Sequence, residues 1–267
     1  MTAVADAAPL SFSVTDEVAR VVLDRPERHN AFDEQLIGAL SSTFDALADD
    51  SRVRVVVLSA NGKSFCAGAD LDWMRRTASY APEENEADAR RLADMLAKLA
   101  RLPKPTVALV QGAAFGGGIG LVAAADIAIA ATNAVFSLSE VRLGLIPSVI
   151  SPYVVAAVGQ RSAQALMLTA ERFDAKEALR LGLIHRMVPA SNLVESGESV
   201  VNELLAGAPD AQSGVKRLVR DVANRPLDGA LTLETARRIA ETRAGAEAKE
   251  GIASFFERRP APWVRKP

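Results

Sequence analysis

Three consecutive glycines, at 116–118, join a segment typical of a buried strand to one typical of a buried helix. Thr106–Gln111 is a short run of aliphatic and β-branched residues, which predicts a strand. Ile119–Ala125 is apolar throughout and predicts a helix that is packed on every side. A further glycine, Gly120, lies inside this helix, where glycine costs about 1 kcal/mol relative to alanine. Such glycines are expected where a backbone or a ligand must approach closely.

The rest of the chain alternates between strand and helix patterns, which predicts an α/β fold. Val18–Leu23 and Val53–Ala60 predict strands, and Asp33–Asp49 between them carries apolar residues at helical spacing. The charged stretch at 75–91 is expected to be a solvated, mobile flank, and the apolar spacing at 92–99 predicts a helix after it. Two more strands are predicted at 127–131 and 134–137.

From about residue 151 the composition shifts towards Ala, Leu, Arg and Glu, which favours helices. One short strand is predicted here, in the run LIHRMV at 183–188. We therefore expect an α/β core at residues 1–190 and a helical C-terminal region at residues 191–267. The predicted helical segments are 161–170, 175–181, 191–206, 210–224 and 230–257.

The composition excludes several kinds of ligand and binding site. The 267 residues carry a net charge of −2, which argues against nucleic acid as a ligand. No apolar run has membrane-spanning length, and the first residues resemble neither a signal nor a transit peptide, so we expect a cytoplasmic protein that binds no membrane. The single cysteine, Cys66, cannot form a disulfide within the chain. With only two histidines besides, we expect no metal site and no separate cofactor.

The glycine turn before the predicted helix suits the binding of a negatively charged oxygen. The first turn of a helix has N–H groups without intrahelical partners, and the helix dipole adds roughly half a positive charge there. Because glycine has no side chain to keep a ligand away, the N–H of Gly117 is a candidate donor. The alternative is a plain tight turn that only packs the strand against the helix.

A second loop of small residues follows the strand at Val53–Ala60. Ser64–Leu71 reads SFCAGADL, and its alanines and glycine again allow close approach of another backbone or a ligand. Two such loops at the ends of neighbouring strands could present two N–H groups to one carbonyl oxygen. This arrangement is an oxyanion hole, in which each donor is typically worth ~2.7–4 kcal/mol of transition-state stabilisation.

Glu140 is the candidate general base. It follows a predicted buried strand, in an otherwise apolar segment that reads FSLSEVRLGLIP. The alternative is a structural acid in the first turn of a helix that Ser139 caps.

These motifs together resemble the crotonase superfamily, the enoyl-CoA hydratases and isomerases, over roughly residues 12–260. The resemblance rests on LDRPERHNAF at Leu23–Phe32, FCAGADL at Phe65–Leu71, AAFGGGIG at Ala113–Gly120, LSEVRLGLIP at Leu138–Pro147 and SFFERR at Ser254–Arg259.

The resemblance implies a core of repeated ββα turns in a spiral, followed by helices that build a homotrimer or homohexamer. It implies an acyl-CoA thioester as substrate, with coenzyme A as part of that substrate. The thioester oxygen is then held by the amides of Ala69 and Gly117, and Glu140 is the catalytic carboxylate. The implied substrate-binding residues are Arg28, His29, Ala31, Ala67, Asp70, Leu71, Gly116 and Gly120.

Gly120 departs from the pattern of typical hydratases, which have a second glutamate at this position. Two enzyme activities therefore stay open. One is a Δ3,Δ2-enoyl-CoA isomerase, in which a single carboxylate moves a proton from C4 to C2. The other is a hydratase similar to the bacterial 3-methylglutaconyl-CoA and isohexenylglutaconyl-CoA hydratases of leucine and acyclic terpene catabolism. For the latter, we expect the space at Gly120 to admit a branched substrate.

The hydratase branch is favoured by three extended stretches at Phe65–Met74, Ser139–Val155 and Leu168–Leu183. A protein that binds acyl-CoA without turning it over is a third alternative, against which the presence of Glu140 argues.

Overall fold

The computed structural model, which describes residues 8–264, contains a six-stranded sheet and a separate three-stranded sheet, with helices packed around both. The strand order is β1-β2-β3-β4-β6-β9 in the larger sheet and β5-β7-β8 in the smaller. Neighbours are parallel except β1 with β2 and β7 with β8. The strands are β1 (Leu10–Thr15), β2 (Val18–Leu23), β3 (Val55–Ala60), β4 (Thr106–Val110), β5 (Ala113–Phe115), β6 (Ile127–Ala131), β7 (Val135–Ser137), β8 (Arg172–Asp174) and β9 (Arg186–Val188).

Helices connect the strands and form the C-terminal part of the chain. None of those in residues 8–264 is long and apolar enough to cross a membrane. They are α1 (Glu34–Asp49), α2 (Leu71–Thr77), α3 (Pro82–Arg101), α4 (Gly117–Ala124), α5 (Ser151–Val158), α6 (Gln160–Thr169), α7 (Ala175–Leu181), α8 (Leu193–Leu205), α9 (Pro209–Val222), α10 (Gly229–Ala244) and α11 (Ala246–Phe256).

The larger sheet is buried on both faces. Successive side chains of a strand point to opposite faces, and β4 shows this directly. Ala108 and Val110 belong to the main core, whereas Val107 and Leu109 belong to a second apolar cluster on the other face. Helix α8 covers that second face with Leu193, Val200, Val201 and Leu205. The first helix after residue 190 therefore packs on the sheet, and the division into two regions there stays a prediction.

The α/β class and the strands predicted at 18–23, 127–131 and around 106–110 are confirmed. The expectation of a mobile stretch at 75–91 is wrong, because α3 already begins at Pro82. The Glu84 side chain accepts a hydrogen bond from the Ala81 N–H, 2.9 Å away, and so caps that helix. Its first half is largely exposed, so no apolar spacing marked it in the sequence.

Other elements also differ from the sequence prediction. The helix predicted at 230–257 is two helices, which meet at Gly245. Strand β1 was not predicted, because it is an edge strand without a fully buried residue. Strand β8 was not predicted either, since three residues are too few for a recognisable pattern and β8 forms only by pairing with β7.

Candidate active site

The smaller sheet brings the glycine turn and Glu140 together. Strands β5 and β7 are parallel, with Phe115 opposite Ser137, and the Gly116 N–H donates to the Ser137 carbonyl at 3.0 Å. Because parallel strands end at the same edge of a sheet, the residues that follow each strand are neighbours. A Cβ built on Gly116 would lie 2.9 Å from Oε1 of Glu140. The carboxylate therefore lies against the backbone just before Gly117.

The second loop joins the same edge through backbone hydrogen bonds. The Cys66 N–H donates to the Ala113 carbonyl at 3.1 Å, and the Phe115 N–H donates back to the Cys66 carbonyl at 2.9 Å. Gly68 adopts a φ of +97°, and a Cβ built on it would lie 3.2 Å from the Phe115 carbonyl oxygen. A Cβ built on Gly116 would lie 4.0 Å from the Gly68 Cα. The two loops thus touch at glycines that directly precede the two predicted donors.

The backbone hydrogen bonds of the described residues leave the N–H groups of both predicted donors without a partner. Phe32 and Ala69 form an isolated β-bridge, in which the Phe32 N–H donates to the Gly68 carbonyl and the Asp70 N–H donates to the Phe32 carbonyl. The N–H of Ala69 takes no part in these two hydrogen bonds. Gly117 is the first residue of α4 and has no intrahelical acceptor. Within residues 8–264, neither amide donates a hydrogen bond. Unpaired backbone donors are what an oxyanion site requires, and the carboxylate beside them can serve as an acid–base group.

Glu140 is placed for acid–base chemistry. Its Oε2 is buried and has no hydrogen-bond partner among the described residues, and burial raises the pKa of the carboxyl above its ordinary value. The alternative of a structural acid is met in position only: Ser139 is the N-cap residue of the short 3₁₀ turn that begins at Glu140, but its side chain makes no cap hydrogen bond. The nearby Asp70 is already engaged, because its Oδ1 accepts the N–H groups of Asp72 and Trp73 and so caps α2.

The two loops expected to contact coenzyme A also meet. The Ala67 N–H donates to the His29 carbonyl at 3.0 Å, and an ion pair joins Arg28 to Asp72 at 3.3 Å between Nη1 and Oδ2. Leu71 is 68% exposed, whereas Ala31 is buried. The structure therefore places the two predicted loops in contact with each other, with both buried and exposed residues among them. Their contacts with coenzyme A stay a prediction.

The expectation of open space at Gly120 is wrong. Gly120 is buried, and a Cβ built on it would overlap Cγ2 of Ile150 and lie 3.1 Å from the Ile150 Cβ. It would also lie 3.3 Å from Cδ1 of Leu96. The volume beside Gly120 is therefore filled by side chains from other elements.

Two neighbours of α4 were missed in the sequence. One is Ile150, and the other is Phe32, whose ring would lie 2.8 Å from a Cβ on Gly117. Only the packing of the folded chain places these two side chains against α4, so no local sequence pattern could have indicated that they lie beside Gly117 and Gly120. Among the described residues, no cluster of three or more His, Cys, Asp or Glu side chains could hold a metal ion.

The mixed sheets, the two touching glycine loops and the adjacent carboxylate define an enzyme of the crotonase class. Residues 13–266 match the family model described as enoyl-CoA hydratase/isomerase, and the chain belongs to this family.

Relatives support this assignment over nearly the whole chain. A short-chain-enoyl-CoA hydratase of Clostridium acetobutylicum is 31% identical, with 91% of this chain and 92% of the relative covered. The structure of an enoyl-CoA hydratase from Shewanella pealeana is similar with a TM-score of 0.93 at 45% identity, and 96% of each chain is covered. That of Pseudomonas aeruginosa AtuE has a TM-score of 0.91 at 37% identity, covering 96% of this chain and all of AtuE (100%).

Proposed function

We propose that this protein adds water across the C2=C3 bond of a branched enoyl-CoA thioester of the 3-methylglutaconyl-CoA type. The observation that carries the proposal is the position of the Glu140 carboxylate, against Gly116 and next to the unpaired N–H of Gly117. An acid–base group and a proposed oxyanion donor thus lie next to each other in space.

The thioester oxygen accepts hydrogen bonds from Ala69 and Gly117 and becomes more negative as the enolate forms. The donors act mainly on this developing charge, so they lower the barrier more than they strengthen ground-state binding. Glu140 takes a proton from the water that attacks C3, and the enolate then takes a proton from the same carboxyl at C2. The raised pKa of the buried carboxyl suits a group that must both accept and return a proton.

The branched acyl group is proposed from the extended similarities at Phe65–Met74, Ser139–Val155 and Leu168–Leu183. With Gly120 in place of a second glutamate, Glu140 alone holds the water from the protein side. A carboxylate on the substrate itself would supply the second polar contact to this water.

Isomerisation is the second candidate activity. Moving a proton between C4 and C2 needs one carboxylate. Asp70 cannot serve as another, because its Oδ1 caps α2 and its Oδ2 lies 3.7 Å from Nη2 of Arg25. The Glu140 carboxylate, whose Oε2 has no hydrogen-bond partner among the described residues, is the observation that favours this activity.

The assay that tests the proposal uses 3-methylglutaconyl-CoA, crotonyl-CoA and a 3-enoyl-CoA. Loss of enoyl-thioester absorbance with 3-methylglutaconyl-CoA supports branched hydration, whereas a gain with the 3-enoyl-CoA alone supports the isomerase. Turnover of none of the three would overturn both and favour a binding protein. Glu140→Ala should abolish turnover and keep acyl-CoA binding, and Glu195→Ala, on an exposed part of α8, is the matched control.

We further propose that the helical C-terminal region mediates a homotrimer or homohexamer. Leu233 of α10 is 74% exposed, and Phe255 and Phe256 of α11 are each 78% exposed. Large apolar side chains that are this exposed favour a contact with another copy of the chain. Sedimentation should show an assembly that Leu233→Asp weakens, and a monomeric wild-type protein would contradict the proposal.

A further inference from the structure

Ile150 and Leu96 cover α4 at Gly120, three residues beyond Gly117, and these two side chains are called the aliphatic wall. Gly120 follows Gly117 by three residues, so both lie on one face of α4. Side chains of a helix lean towards its N-terminus, so a side chain at position 120 would extend towards the unpaired amide. Gly120 has none, and Ile150 with Leu96 occupies that direction instead.

The packing around Ile150 makes this wall rigid. Ile150 is only 3% exposed and precedes α5, where its carbonyl accepts the N–H groups of Tyr153 and Val154 at 3.1 Å each. Leu96 is fully buried on α3, so the wall combines side chains from two elements that flank α4. An aliphatic wall held in this way cannot move aside for a substrate without a loss of packing.

The position of the wall relates it to the acyl group. Three residues of helix rise about 4.5 Å, comparable with the distance from a bound carbonyl oxygen to a substituent on C3. We propose that Ile150 sets the upper size limit of the branch that the substrate carries at C3. This inference rests on the proposed acyl-thioester site and identifies a specificity-determining residue within it.

Shortening Ile150 tests the proposal. Ile150→Ala removes three carbon atoms and should raise the preference for a larger branch, with Ile150→Val giving a smaller change in the same direction. The substrates are 3-methylcrotonyl-CoA and 3-ethyl-2-pentenoyl-CoA, which differ by one carbon in each substituent at C3. We expect their ratio of kcat/KM to shift towards the larger substrate by about 10-fold or more in Ile150→Ala, the usual effect of a methylene in a fitted pocket.

Ile129→Ala is the matched control. Ile129 is buried on β6 in the second apolar cluster, so it loses the same atoms on the other face of the sheet. It should weaken folding and leave the ratio unchanged. An unchanged ratio in folded Ile150 variants, or an equal shift in Ile129→Ala, would show that Ile150 has only a packing role.

A binding measurement separates this proposal from the proposed activity. The dissociation constants of isovaleryl-CoA and 3-ethylpentanoyl-CoA, which carry no double bond, report the size limit without turnover. A shifted ratio in a protein that turns over none of the enoyl-CoA probes would retain the role of Ile150 and reject hydration. An unchanged ratio in a protein that hydrates the enoyl-CoA probes would reject the role of Ile150 and retain hydration.

Discussion

Oε1 of Glu140 lies 2.9 Å from the position that a Cβ on Gly116 would take. This closeness follows from the parallel register of β5 and β7, which end side by side. Two features require glycine at position 116. A Cβ there would crowd the carboxylate, and the backbone has a φ of +48° with a ψ of −118°.

Gly116→Ala should therefore impair catalysis and folding together. The strained backbone costs of order 1–3 kcal/mol of stability, and the added methyl displaces the Glu140 carboxylate. We expect kcat to fall at least about 100-fold, because small displacements of a reacting group reduce rates by that factor. Steady-state kinetics and urea unfolding measure both effects.

Gly38→Ala is the control for this substitution. A Cβ on Gly38 meets nothing within 4 Å on α1, so alanine there should stabilise the helix by about 0.5–1 kcal/mol and leave kcat unchanged. Normal turnover by Gly116→Ala would contradict the proposed role of the Glu140 carboxylate at this position.

Glu140 should make stability depend on pH in a defined direction. Burial raises the pKa of its carboxyl, so the folded protein binds this proton more tightly than the unfolded chain does. Stability from this group is therefore present below the ordinary pKa and is lost as pH rises through the raised one. The Glu140→Gln variant has no such titration, so its unfolding free energy relative to wild type should increase as the pH rises through the raised pKa of Glu140. Urea titrations at several pH values measure this difference, and a constant difference would argue against the raised pKa.

Gly120 and Ile150 should be energetically coupled. Gly120→Ala alone forces a methyl against Ile150 Cγ2 and should cost about 1–3 kcal/mol of unfolding free energy. In combination with Ile150→Ala, the methyl at 120 fills part of the space that is opened, so the two changes should be non-additive by about 1 kcal/mol or more. A double-mutant cycle from chemical unfolding measures this coupling, and strictly additive losses would show that the two side chains do not compete for one volume.

Asp126 should anchor α9 to the sheet. Its Oδ2 accepts hydrogen bonds from the N–H and hydroxyl of Thr106, both at 2.8 Å, and lies 2.6 Å from Nζ of Lys216. Burial lowers the pKa of Lys216, and Asp126→Ala would leave this cation buried without its partner. We expect a loss of about 3 kcal/mol in unfolding free energy.

Asp45→Ala is the matched control, because it removes an exposed carboxylate from the ion pair with Lys98. The expected loss there is below about 1 kcal/mol. Equal losses for the two variants would mean that the Asp126 pair is no more important to folding than a surface contact.

The elements that the sequence identified are those whose pattern is local. Strand β4 is a run of five buried residues, and α1 repeats its apolar side chains at helical spacing, so each is visible within one window of sequence. Helix α3 was found only in its second half, because Met95, Leu96 and Leu99 mark its buried face there. Short β8 carries no pattern of its own and depends on its partner strand.

The same distinction holds at the site. Local signals in the sequence singled out Gly117, Glu140 and the loop at Ser64–Leu71, since small residues after a strand and an acid in an apolar segment are such signals, whereas Ala69 within that loop was assigned by the family resemblance. Their meeting depends on the pairing of β5 with β7 and of Cys66 with Ala114, which only the folded chain establishes.

Gly120 shows the limit of local inference. A glycine within a buried helix indicates that some group must come close, but not which one. The tertiary structure decided that this group is Ile150, thirty residues away in sequence, because packing in a protein interior fills every volume from whichever element lies next to it.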